Sequence, residues 1–106
     1  MTTAEVLQKA RDLIADESRW THGYYAKDAQ GYDVEPNEPS ACCWCALGAV
    51  LHVEDLHSEE EAGSDAASAL ERTALASGVA VPYINDIRGH DAVLALFDEA
   101  IAKAAA

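Results

Sequence analysis

Positive charge is scarce in this chain. Seven Lys and Arg stand against nineteen Asp and Glu, a formal net charge of −12. Such a surface repels phosphate backbones and anionic membranes, so no direct nucleic-acid contact and no membrane contact are expected. Aromatics are equally sparse, 7% of residues with a single Phe, while half the chain is apolar and much of that is alanine. Alanine-rich helices packing at short range suit this better than a β-sandwich. No apolar run reaches the ~18 residues that a membrane span requires. The opening Met1-Thr2-Thr3-Ala4-Glu5 has neither a basic stretch nor a hydrophobic one behind it, so no signal peptide is expected. Three cysteines, odd in number and crowded at 42, 43 and 45, cannot staple distant segments. Reduced thiols in a cytoplasmic protein follow as the expectation. A length of 106 residues suits one domain, 1–106, with a real core.

Against that background stands one stretch, Pro39-Ser40-Ala41-Cys42-Cys43-Trp44-Cys45-Ala46-Leu47-Gly48-Ala49-Val50-Leu51. From Ala41 to Leu51 it carries no charged side chain. Too short to cross a bilayer, it reads as a helix buried on nearly all sides, with Pro39 in its first turn. Gly48 in its interior costs about 1 kcal/mol against alanine, and so marks close approach by another backbone.

The remaining elements follow from caps and periodicity. Thr2 and Glu5 form a capping box ahead of Val6, Leu7, Ala10, Leu13 and Ile14 at helical spacing. Asp28-Ala29-Gln30-Gly31, between Trp20–Tyr25 and Tyr32–Glu35, suggests a small hairpin near 23–35 with Gly31 at positive φ, the alternative being an irregular loop because two short strands alone are marginal. Ser58 with Glu61 is a second candidate box. Ser64 and Gly78 bracket a third helix, and Gly89 or Asp91 starts the last. Val81-Pro82-Tyr83-Ile84 is expected to be extended, because the residue before a proline avoids helical angles, and Asn85-Asp86 to be a turn pair. The predicted fold is mainly α: a compact bundle of about four helices near 3–17, 39–52, 64–77 and 90–104 around the buried central one, with a small hairpin between the first two.

Asp28-x-x-Gly31-x-x-Val34, Trp44-Cys45-Ala46-Leu47-Gly48-Ala49, Ile84-Asn85-Asp86 and Leu94-Ala95-Leu96-Phe97-Asp98-x-Ala100-Ile101 occur in an order that resembles a small bacterial and phage family, a domain of unknown function. The resemblance covers most of the chain, and Trp-Cys-Ala-Leu-Gly-Ala is its most specific element. It implies no established activity and carries over no catalytic residue.

Several constellations bear on chemistry. A thiol near a helix start feels the macrodipole and is more readily ionised; Cys42 and Cys43 sit near that turn and Cys45 nearly two turns in, and Cys43 and Cys45 are the candidate nucleophiles. His90 is then the candidate base and Asn85 or Asp86 its orienting group. Cys43-Trp44 faintly echoes the helix start of papain-like proteases, but the β-barrel half that presents their histidine is missing. Cys42 and Cys45 have redox-pair spacing without the preceding strand of a thioredoxin-like unit. Cys42, Cys45, His52 and His57 have pairwise metal-ligand spacings, but only six apolar residues separate the pairs. Buried structural cysteines outweigh all three readings, and no cofactor and no metal are expected. Asn85-Asp86 with Arg88 is by default a set of backbone-bonding turn residues. As a site, it would line a small pocket with Cys45 and Tyr83. The acidic run Glu54, Asp55, Glu59, Glu60, Glu61 reads as a solvated loop, or more sharply as a docking surface for a basic protein partner. The favoured function is therefore protein–protein interaction by a soluble acidic helical domain without catalysis. The alternative is a small cysteine-dependent hydrolase or transferase.

Overall fold

The computed structural model describes residues 1–106 and is mainly helical, with one small antiparallel sheet. Helix α1, Thr3–Leu13, opens on the expected capping box: the Glu5 amide donates to Thr2 Oγ1 at 3.1 Å and the Thr2 amide to Glu5 Oε1 at 3.0 Å. It stops short of residue 17 because Asp16 caps a separate 3-10 turn, Glu17–Arg19, through the Ser18 amide and hydroxyl. Strand β1, Ala26–Lys27, pairs with β2, Cys43–Trp44. Helices α2, Ala46–Val53, and α3, Asp65–Ala76, flank a 3-10 turn at Ser58–Gly63. A short helix α4, Val81–Tyr83, runs into a π turn at Ile84–Arg88, and α5, His90–Ala105, closes the chain.

Two sequence expectations are corrected here. The central helix begins at Ala46 rather than Pro39, so Cys42 and Cys43 lie on extended backbone, outside its first turn. The backbone of 42–45 is held on neighbouring loops instead: the Cys42 amide donates to the Lys27 carbonyl, the Cys45 amide to Tyr25, and the Trp44 carbonyl accepts from Thr21. Trp44 is driven inward, 2% exposed, and its indole donates to the Pro36 carbonyl at 3.1 Å. Val81–Ile84, expected to be extended, is helical. Pro82 falls in the first turn of α4, where its missing amide leaves no hydrogen bond unmade.

The turn at Asp28–Tyr32 forms as expected. Asp28 Oδ1 accepts from the Gln30 and Tyr32 amides, Gly31 takes φ +86°, and Lys27 bridges Asp33. The regular ladder, however, takes its second strand from 43–44. Ser64 caps α3 through the Ala67 amide, as its position suggested. The Ser58–Glu61 box is replaced: Glu60 accepts from the His57 amide, and Ser58 donates both its amide and its hydroxyl to Glu35.

One core joins these elements. α1 packs on α2 and α5, and α3 on α5, around Leu7, Ile14, Leu51, Leu70, Val93 and Phe97, all fully buried. Each such side chain contributes about 1.5–3 kcal/mol relative to exposure. Arg11 ties α1 to α5 through an ion pair with Asp98 at 2.6 Å. The tightest point is Gly48 in α2, where a Cβ would lie 1.9 Å from the Tyr25 carbonyl oxygen. Backbone cannot swing aside as a side chain can. Gly48→Ala is therefore expected to destabilise by about 3 kcal/mol despite alanine's better helix propensity. Urea unfolding measures this, and an unchanged midpoint would show that the loop yields freely.

Candidate functional site

The start of α2 is where the chemistry-bearing residues meet. A helix N-terminus leaves amides without intrahelical partners, and here side chains from distant segments meet them. Cys45 is the N-cap, its Sγ accepting from the Gly48 amide at 3.3 Å. The Ala46 amide donates to Asn85 Oδ1 at 2.9 Å, and the same oxygen accepts from the Trp20 indole at 2.9 Å. Asn85 Nδ2 donates to the Thr21 carbonyl at 3.1 Å and to Asp86 Oδ1 at 3.0 Å. Asp86 Oδ1 also accepts from the Gly23 amide. Asn85, 2% exposed, thus has both donors and its acceptor oxygen satisfied, as a buried amide requires. The π turn that carries it closes through the Gly89 amide on the Ile84 carbonyl.

Beside this network lies a cavity of about 180 Å³, lined by Gly23, Tyr24, Tyr25, Cys45, Leu47, Val81 and Pro82 together with Asn85 and Asp86. Of the sequence candidates, the fold brings Cys45, Asn85 and Asp86 together. Tyr83 points elsewhere, its ring under the Arg88 guanidinium. Cys43 and His90 stand apart. Cys43 is half-buried on β2 with Sγ 3.9 Å from the Lys27 carbonyl. His90 is buried at the start of α5, where Nε2 lies 2.6 Å from the Ile14 carbonyl. A carbonyl only accepts, so Nε2 carries the proton. The Trp20 ring packs over the imidazole at 5.5 Å.

The electrostatics disfavour a thiolate. Burial pushes the Cys45 thiol up to about 12, outweighing the stabilising Gly48 amide, and the Asp86 and Glu61 charges add to the rise. Cys43 is raised by burial and by the neighbouring Cys42. The Tyr25 phenol is raised by burial and by donating to Glu61 at 2.8 Å.

The acidic run divides in two. Glu54 accepts from the Ser64 hydroxyl and Glu61 from Tyr25, so both hold the fold. Asp55, Glu59 and Glu60 are exposed, with Glu60 paired to the His57 ring at 3.3 Å. Trp20, Gly23 and Tyr25 belong to the site without having been singled out from the sequence. The aromatic run 20–25 was the available signal, but nothing in it names the partners of its indole and carbonyl.

A family model matches residues 1–103. The chain belongs to the Family of unknown function (DUF6197). No curated protein and no solved structure matches it. The expected resemblance to a domain of unknown function is met by this family, and the family brings no activity with it. No helix of this member is long and apolar enough to cross a membrane.

Alkaline behaviour tests the thiol environment. A group whose folded pKa is raised keeps its proton in the native state while the unfolded chain loses it, so stability falls as pH rises between the two values. Cys45 should therefore weaken the fold progressively from about pH 9 to about 12, with Tyr25 acting in the same direction at the upper end. Cys45→Ser, which keeps a capping oxygen, should reduce this loss. Iodoacetamide on native protein should modify exposed Cys42 first and Cys45 last, and fast Cys45 labelling near neutral pH would contradict the assignment.

Proposed function

We propose that this protein acts by binding a basic protein partner through its acidic surface, without catalysis. The observation that carries this reading is that only three of its nineteen acidic side chains form ion pairs, Asp98, Glu60 and Glu99. Others serve the fold as hydrogen-bond acceptors, among them Glu5, Asp16, Asp28, Glu35, Glu54 and Glu61, and the rest are available to an external cation. Such a field steers oppositely charged partners and suppresses wrong ones. The helices serve as scaffold, which we read as a bundle of four longer helices. The cytoplasm, where the three thiols stay reduced, is the compartment we propose. Support for the non-catalytic reading comes from the Cys45 thiol, which burial keeps protonated, and from His90, which donates to Ile14. Asp55, Glu59 and Glu60 are the contact residues proposed, since all three are exposed, Glu60 while also accepting from His57. Glu54 and Glu61 sit behind them and hold the loop.

The experiment is a calorimetric titration of deca-lysine into the protein at low and physiological ionic strength. The triple variant Asp55→Asn, Glu59→Gln, Glu60→Gln keeps the hydrogen-bonding shape of each side chain. It should leave the melting temperature nearly unchanged, because exposed charges contribute little to folding. Its affinity for the probe should fall several-fold, with a weaker salt dependence. An equal loss from neutralising Glu17 and Asp91, at other places on the surface, would show only a diffuse charge effect and overturn the assigned face.

A further inference from the structure

The cavity beside α2 is not explained by charge alone. Five of its nine lining residues are hydrophobic, and none is basic. Its inner polar groups are already matched: Asn85 has its full set of partners and the Tyr25 carbonyl accepts from the Cys45 amide. What remains open to a ligand is mainly apolar wall, from Pro82, the small accessible parts of Leu47 and Val81, and half-exposed Tyr24, whose ring has the Lys27 ammonium 5.0 Å from its centroid. One carboxylate lies at that wall and two more lie behind it. Asp86 lies in the lining with Oδ1 engaged and its other oxygen without a protein partner. Glu61 is one hydrogen bond behind Tyr25, and Glu71 lies beside the Val81 amide.

An open apolar slot with carboxylates near its edge fits one kind of occupant. We propose that the cavity takes a bulky apolar side chain from a partner segment whose flanking residues are lysine or arginine, the apolar group filling the slot and the cations meeting Asp86 and Glu61. This rests on the reading of the acidic surface as the contact for a basic partner, and adds to it the residue that anchors that partner. Interfaces commonly combine such a desolvated apolar anchor with a charged rim. A free cation alone would leave the apolar wall wet, and an apolar ligand alone would leave the carboxylates unmatched. Tyr24 and Pro82, both exposed at the mouth, form the shoulder over which the partner backbone would run.

The test uses the full chain and three pentapeptides, each with two lysines on either side of a central Phe, Leu or Ser. Amide chemical shifts are followed by NMR as each peptide is added. The Phe or Leu peptide should bind at least about tenfold more tightly than the Ser peptide, as burial of one large apolar side chain predicts. Shifts should saturate at Gly23, Cys45, Val81 and Asp86. Tyr24→Ala, a change at an exposed ring, should weaken the Phe peptide toward the Ser value. A peptide with glutamates in place of the lysines should not bind. Equal affinities for Phe, Leu and Ser, with shifts confined to 55–65, would overturn the anchored cavity and leave the acidic-surface reading standing. No shifts with any lysine peptide would remove both, and tight binding of the glutamate peptide would overturn the role of the carboxylate rim.

Discussion

Asn85 is a buried amide, and a buried amide must have its donors and acceptor met or the fold loses the desolvation cost of each unmatched group. That requirement draws three separate pieces of chain to one point. The Trp20 indole and the Ala46 amide converge on its oxygen, and the Thr21 carbonyl and Asp86 carboxylate on its nitrogen. With Trp20 and Thr21 fixed, the chain through Tyr25 lies across the start of α2, where the Tyr25 carbonyl receives the Cys45 amide and meets the bare face of Gly48. The small residue, the sulfur cap and the π turn are then parts of one arrangement. The cavity is the space left between the loop and the helix that Asn85 ties together.

The same geometry explains why three neighbouring cysteines differ. Cys42 stands in solvent, Cys43 leans on the Lys27 carbonyl, and Cys45 is a half-buried cap. A sulfur accepting from a helix amide gains thiolate character from that bond. Burial, with the Asp86 and Glu61 charges nearby, works the other way and prevails. Two of the four histidines are likewise committed to carbonyls, His90 to Ile14 and His52 to Pro36. What faces outward is mostly negative charge, with a few cations and some aromatic and aliphatic surface.

Much of the helical frame was legible in the sequence because local chemistry decides it. The Thr2–Glu5 box, the Ser64 cap and the apolar spacing of α5 act within a few residues of themselves. Gly48 was also legible, since a glycine that weakens an apolar helix has its use where a second backbone comes close. The stretch 39–45 misled because an unbroken apolar run has no period to distinguish helix from strand. Its outcome depends on the carbonyls of Tyr25 and Lys27, far away in sequence. Asn85 was read as a local turn residue for the same reason, as its partners lie 39 to 65 positions off. The cavity was legible only as Cys45 near Asn85 and Asp86; Tyr24, Val81 and Pro82 required the fold.

If the Asn85 junction is what holds the loop on α2, its hydrogens should be among the last to exchange. Native-state hydrogen exchange at the Ala46 amide and the Trp20 indole measures this directly. Both should exchange only through global unfolding, with the same opening free energy as the core amides of α1 and α5. Asn85→Ala should release both together while α3 stays protected. Fast exchange at Ala46 and Trp20 in the unmodified protein, with the core still closed, would contradict the role given to Asn85.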